Sequence, residues 1–276
     1  MPQWADEPLK ADIRIRHLAS HSSGIEEVPF LMGERGELHG WQKEYFDNDT
    51  ARYTLALTRA PIQFPPGTEY SYSGTGYYVI ATVLATAIRN TSTGDARTLL
   101  ERRLMQPLEI PEDAWRISYG RKTTIGELDL YAIGSGAQYT ARAVARVGQL
   151  MLNRGTWKGR QIVAPESVDA ILGRDRPPPP NLEFDYPEPR AAYGWWTNQD
   201  GLWPSLPRSA FVGAGADHRI LLVVPDLDLV MVRLGASLTG TNFGGTFWRE
   251  LEEYLFEPLT GAIDATSVSS VRGAEQ

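Results

Sequence analysis

The stretch from residue 192 to residue 234 constrains the fold more than any other part of this sequence. Four runs in it read as strands, over 192–197, 209–212, 219–224 and 228–234. Pro225, Asp226 and Leu227 punctuate the last two runs as a turn does. Residues 247–256 follow with Trp248, Leu251, Tyr254 and Leu255 at helical spacing, so an amphipathic helix closes the meander.

Upstream the pattern changes to helix and loop. Residues 13–19 read as a short helix or turn closed by the glycine of Ser22-Ser23-Gly24. Trp41, Tyr45 and Phe46 seat one helix in an otherwise irregular stretch over 26–60. Phe64-Pro65-Pro66-Gly67 is a strong turn signal, and 77–90, rich in Ala, Val, Ile and Thr, reads as a buried helix. A second helix spans 99–105 and ends at Pro107. Thr140 is the expected N-cap of a helix over 141–153 that Gly155 terminates. Pro165 opens another short helix. The proline-rich stretch 176–190 is expected to be a surface loop, and 263–276 a disordered polar tail. The expectation is an α+β protein with a single domain over 1–262. Its 1–185 part is mostly helical, and 186–262 carries the strands and the closing helix.

The chain has 276 residues, enough to bury a core without staples, and it holds no cysteine. Thiol nucleophiles, disulfides and Cys-ligated metals are therefore excluded. A net charge of −7 disfavours nucleic acid as a partner. No apolar run approaches the ~18 residues of a membrane span. The start Met1-Pro2-Gln3-Trp4 lacks the basic end and apolar core of a secretory leader, which leaves the compartment open.

The segment Ile13-Arg14-Ile15-Arg16-His17-Leu18-Ala19-Ser20-His21-Ser22-Ser23-Gly24 resembles the I-T-I-R-H-L-L-S-H-T-S-G signature of the serine β-lactamase-like family. That family includes class C β-lactamases, penicillin-binding DD-peptidases and related esterases. Three further stretches match its blocks in order. Pro65-Pro66-Gly67 through Tyr77 resembles P-G-x-x-x-x-Y-S-N-x-G-Y, and 134–152 resembles the entry to the S-T-x-x-D-L-A-R-F helix. Tyr193-Gly194-Trp195-Trp196 with 213–235 resembles the final strands. The resemblance implies a β-lactamase/transpeptidase-like fold, an antiparallel sheet flanked by helices. It also implies acyl transfer from an ester or amide to a serine.

Carried over position by position, the resemblance makes Tyr72 the motif tyrosine that shuttles protons and Ala216 the candidate oxyanion N–H donor. Ser73, Gly74, Gly213, Gly215 and His218 fall at substrate-binding positions. Two departures stand out. Gly74 replaces the usual Asn, and Gly213-Ala214-Gly215-Ala216 carries neither the Lys nor the His of a K-T-G or H-x-G strand. His218 reads more readily as an exposed turn residue. His17 and His21 stand four apart but lack a third ligand, so packing is expected of them and no metal or other cofactor is.

The nucleophile motif S-x-x-K is missing: the lysines are Lys10, Lys43, Lys122 and Lys158, and none has Ser three places before it. In relatives it lies tens of residues ahead of the first signature, where this chain has twelve. The leading reading is a hydrolase domain without its N-terminal strands and nucleophile helix, inactive as it stands. Its partners would be small esters, amides or peptides, with ester favoured over β-lactam. The alternative is a non-catalytic relative that binds peptide or β-lactam-like ligands. An unrelated globular protein is a third reading. Without those strands and that helix, 228–234 becomes an apolar sheet edge open to self-association, and the residues around the absent helix face a void.

Overall fold

The computed structural model describes residues 2–29, 38–173, 187–240 and 246–263. Most of the proline-rich stretch and the tail from residue 264 lie outside them.

The helical part holds four elements that matter for the site. Helix α1, Ile15–Ala19, carries the first signature. Helix α2, Asp49–Thr58, is capped by the Asn48 side chain, which accepts from the Ala51 amide. Helix α3, Gly74–Ile88, begins three residues earlier than its apolar run implied, because Ser73 serves as its N-cap. Helix α4, Ala141–Leu152, starts where expected, with Thr140 accepting from the Ala143 amide. The expected helix over 99–105 begins at Ala96 and loosens into a π turn over Glu101–Met105. Between α3 and α4, and just after α4, small two-stranded ribbons form that the sequence pattern did not announce: Trp115–Arg116 with Gln138–Tyr139, Thr123–Ile125 with Leu128–Leu130, and Thr156–Trp157 with Arg160–Gln161.

The C-terminal third is a five-stranded antiparallel meander. Its strands are β1 Arg190–Ala192, β2 Trp195–Thr197, β3 Phe211–Gly215, β4 Arg219–Val224 and β5 Leu229–Arg233, in the order β5-β4-β3-β2-β1. The expected single run 192–197 is two strands. Tyr193 and Gly194, at φ 54° and 85°, make the tight turn between them, and β1 returns on β2 with Ala191 opposite Trp196. In the register of the central pairs Leu222 faces both Val212 and Met231.

Side-chain alternation then builds two cores. Val212, Ile220, Leu222 and Val224 pack against Phe247, Trp248 and Leu251 of the closing helix α5, Phe247–Leu251, which continues as a π turn to Phe256. Phe211, Leu221 and Val223 turn the other way onto α4 residues Val144, Val147 and Met151. Strand β4 is thus buried on both faces, which is why Arg219–Val224 is an unbroken apolar run after its first residue. Helix α4 approaches closely at Gly148, where an added Cβ would lie 2.5 Å from Val230 Cγ1 and 2.6 Å from Leu221 Cδ1.

Two apolar surfaces remain uncovered among the described residues. Strand β5 pairs only with β4. An open groove of about 530 Å³ lies between Trp4, Ile13 and Leu18 on one side and Val83 and Ala87 of α3 on the other. No helix among the described residues is long and apolar enough to cross a membrane.

Candidate active site

The site grows from two loops that zip together through their backbones. After α1 the chain turns through His21, at φ 53°, to Gly24 at φ 76°. A Cβ on Gly24 would stand 2.2 Å from the Phe64 carbonyl oxygen, so only glycine lets the loops meet. The amides of Gly67 and Ser71 donate to the carbonyls of Ser22 and His21 at 2.7 and 2.8 Å, and Gln63 donates to Gly24 at 2.8 Å. The first two signatures, separated by about 40 residues of chain, thus form one structural unit.

His21 is the centre of that unit. Its Nδ1 accepts from the Ser73 amide at 3.0 Å, so the remaining proton of the neutral ring belongs on Nε2. Burial pushes its pKa down to about 4, which keeps the ring neutral at physiological pH. The ring stacks on Tyr72 with centroids 4.5 Å apart and lies 5.2 Å from that of Tyr77. Tyr77 Oη and the Gly194 amide both donate to the Ala19 carbonyl, at 3.2 and 3.1 Å, and bind the β1–β2 turn to the end of α1.

Tyr72 is 39% exposed and holds its ring against His21. Its phenol is pushed up from the usual value, first by burial and then by Glu27, Tyr77 and Glu188. Every ionisable group in that set is an acid. Ser73 is buried, and its hydroxyl accepts from the Gly76 amide at 3.0 Å as the helix cap. At Gly74 a Cβ would lie 3.2 Å from Glu27 Oε1. Glu27 Oε2 accepts from the Thr75 amide at 2.9 Å. Burial raises the Glu27 carboxyl to about 7, restrained by the amides of Thr75 and Gly74 and the hydroxyls of Thr75 and Ser73. Burial also raises Glu188, against its hydrogen bond with Tyr70.

The strand side is reached through Trp195 and Trp196. Trp196 lies 6.2 Å from His21, ring to ring, while the Trp195 ring covers Gly213, whose added Cβ would be 3.5 Å away. Strand β3 pairs with β2 only at Phe211 and Val212, so Gly213 and Gly215 continue beside β4 alone. Ala216 follows in the turn, its carbonyl accepting from the Arg219 amide at 3.3 Å.

His218 stands apart from this group, and its expected exposure in the turn needs correction. It is wholly buried. Its ring stacks on Phe247 at 4.6 Å, and Nδ1 lies 3.3 Å from the Leu238 amide that donates to it. Nε2 comes within 3.0 Å of Glu250 Oε2, though off the line of a well-formed hydrogen bond. It therefore ties the β3–β4 turn to α5. His17 Nδ1 accepts from the Arg14 amide at 3.2 Å, so both signature histidines serve the backbone. Among the described residues no three His, Asp or Glu gather as metal ligands would.

Glu27 and Glu188 were not foreseen. Nothing local marks Glu27 in Glu26-Glu27, since its meaning comes from a helix that starts 47 residues later.

A helical layer and an antiparallel sheet meet at His21 and the end of α1, which defines a mixed α+β protein of the β-lactamase/transpeptidase-like class. The β-lactamase family profile matches residues 2–255, and the chain belongs to that family of serine hydrolases. Solved structures agree on the fold. A protein of Bacillus anthracis described as a 6-aminohexanoate-dimer hydrolase superposes with TM-score 0.62 at 18% identity, over 96% of this chain and 64% of its own. A penicillin-binding protein homologue from Caulobacter crescentus gives 0.57 at 16%, over 86% and 68%. A family VIII carboxylesterase gives 0.59 at 18%, over 91% and 72%. A comparison with curated protein sequences returns no match.

Proposed function

We propose that this site belongs to an acyl-transfer hydrolase for uncharged carboxylic esters, and that the sequence in hand carries the tyrosine and glycine walls of the site without its nucleophile. One observation carries the substrate class. The groups whose charge bears on Tyr72 are acids, Glu27 and Glu188 among them, the His21 ring stacked on it is neutral, and the 213–216 wall has no cation. A substrate carboxylate, which a penicillin presents, would meet like charge here and find no Lys to hold it. An uncharged ester meets no such penalty. The missing nucleophile follows from the missing S-x-x-K, since the turn serines are engaged: Ser22 and Ser20 share a hydrogen bond at 3.0 Å, and Ser23 accepts from the Ile25 amide.

In this reading Tyr72 is the motif proton shuttle, and Gly213, Gly215 and Ala216 offer backbone to the substrate. A non-catalytic binding role for the same groove is favoured by the same missing motif. The test is to label the purified chain with a fluorophosphonate and a fluorescent penicillin, and to titrate it with a short-chain aryl ester and a penicillin by tryptophan fluorescence. Neither reagent is expected to leave a covalent band, and the ester is expected to bind at least tenfold more tightly than the penicillin. A band mapped to one serine would refute the missing nucleophile, and tighter penicillin binding would refute the ester.

A further inference from the structure

Residues 71, 72 and 73 are all held by one residue of the facing loop. The Ser71 amide donates to the His21 carbonyl at 2.8 Å, and the Ser73 amide donates to His21 Nδ1 at 3.0 Å. Between them the Tyr72 ring stacks on the imidazole, with centroids 4.5 Å apart and planes 28° from parallel. His21 thus bonds the backbone on both sides of Tyr72, once through its main chain and once through its ring edge, and meets the side chain between them with its ring face. Among the described residues no hydrogen bond holds the Tyr72 hydroxyl and no second ring stacks on it. A tyrosine that is 39% exposed has room for other rotamers, so the imidazole is what gives this one its direction.

The choice of histidine follows from the two demands. His21 sits at φ 53°, in the left-handed region that a residue with a Cβ rarely adopts. Such strain persists where the surroundings over-determine it. The ring is buried, 5.2 Å from Tyr77, 6.1 Å from Tyr70 and 6.2 Å from Trp196. A phenyl ring would fill that space without desolvating two nitrogens, but it would leave the Ser73 amide without an acceptor. Asparagine would offer an acceptor and suit the left-handed backbone better, but it has no ring to stack. Only an imidazole supplies both the acceptor and the face.

We propose that His21 is the positioning residue of Tyr72: its carbonyl, its Nδ1 and its ring face together grip the Ser71–Ser73 segment and set the direction of the phenol. With Nδ1 occupied by the Ser73 amide, the neutral ring carries its proton on Nε2, so His21 acts through Tyr72 and not as a base of its own at Nδ1. That Tyr72 shuttles protons rests on the acyl-transfer reading, while the grip itself does not.

Two substitutions separate the edge of the ring from its face. His21→Asn keeps an acceptor and removes the ring. His21→Phe keeps a ring and removes the acceptor. The Tyr72 side-chain rotamer is read by NMR from the couplings between its Hα and Hβ protons, and the Ser73 contact from amide hydrogen exchange. Wild type is expected to show one Tyr72 rotamer. In His21→Asn the couplings should average over several rotamers while the Ser73 amide stays protected. In His21→Phe the single rotamer should return, and the Ser73 amide should exchange about tenfold faster, as the loss of one hydrogen bond implies. A folded His21→Asn chain that keeps the wild-type Tyr72 rotamer overturns the proposal. So does a His21→Phe chain whose Tyr72 averages as in His21→Asn, or whose Ser73 exchange is unchanged. Should neither variant fold, the wild-type chain decides. Its imidazole nitrogen shifts are expected to place the proton on Nε2, and cross-relaxation is expected between the imidazole and Tyr72 ring protons. A proton on Nδ1, or no cross-relaxation, overturns the proposal. A chain that shows the grip but binds no ester would remove the function proposed above and leave the grip standing, and ester binding without the grip would remove only this inference.

Discussion

Replacing Glu27 by glutamine is expected to stabilise the protein in mild alkali and to leave it nearly unchanged in mild acid. The Glu27 carboxyl is raised from 4.5 to about 7 in the folded chain because burial penalises its charge. A raised carboxyl favours the native state while it is protonated, so its contribution is fully present below pH 4.5. It is lost as the pH climbs through 7. The full loss amounts to about 3 kcal/mol above pH 8. Glu27 is only half-buried, and water at its open side trims this to about 2 kcal/mol. Glutamine carries no charge to bury and keeps an oxygen for the Thr75 amide. Urea unfolding of wild type and Glu27→Gln at pH 5 and pH 8.5 isolates the effect, since other titrating groups are common to both chains. The difference between the two proteins should grow by about 2 kcal/mol from the lower to the higher pH, in favour of the variant. A difference that does not change with pH, or that grows against glutamine, would show that the helix N-terminus and its amides outweigh burial. The account of Glu27 as a group forced to share its proton at neutrality would then be wrong.

Gly148→Ala should cost about 1–3 kcal/mol in urea unfolding, because its methyl would collide with Val230 and Leu221, although alanine suits a helix better than glycine. A neutral or stabilising result would mean that α4 does not lie as close to β4 and β5 as described. The open edge of β5, Leu229–Arg233, should make the chain self-associate, seen as a concentration-dependent mass in sedimentation equilibrium. A monomer at all concentrations would show that the edge is shielded.

Much of the architecture can be read from the sequence because the signals are local. A run such as Ile-Leu-Leu-Val-Val admits only a buried strand or helix, and the flanking Pro225 and Asp226 choose the strand. Thr140 caps α4 because a side chain two or three residues from its amide partner needs no help from the rest of the fold. The order of the signature blocks, and with it the position of Tyr72, was legible for the same reason.

Other features depend on residues far apart in the chain. Tyr193-Gly194 splits one apolar run into β1 and β2, since a left-handed pair can turn the chain where hydropathy sees continuity. His218 looked like a turn histidine, and it is one by backbone, but Phe247 of α5 covers its ring and removes it from solvent. Gly74 read as a departure, a glycine where the family signature has an amide. In the fold Glu27 Oε1 stands 3.2 Å from where a Cβ at this position would be, brought there by backbone hydrogen bonds between two loops. What the sequence alone determined is therefore what short-range propensity and hydrophobic period control: the strands, the helices, their caps and the order of the motifs. Which carboxylate reaches the first turn of α3 at Gly74, and whether it keeps its proton, was decided only by tertiary packing. Charge and burial act through distances in space, and 47 residues of chain hide that distance.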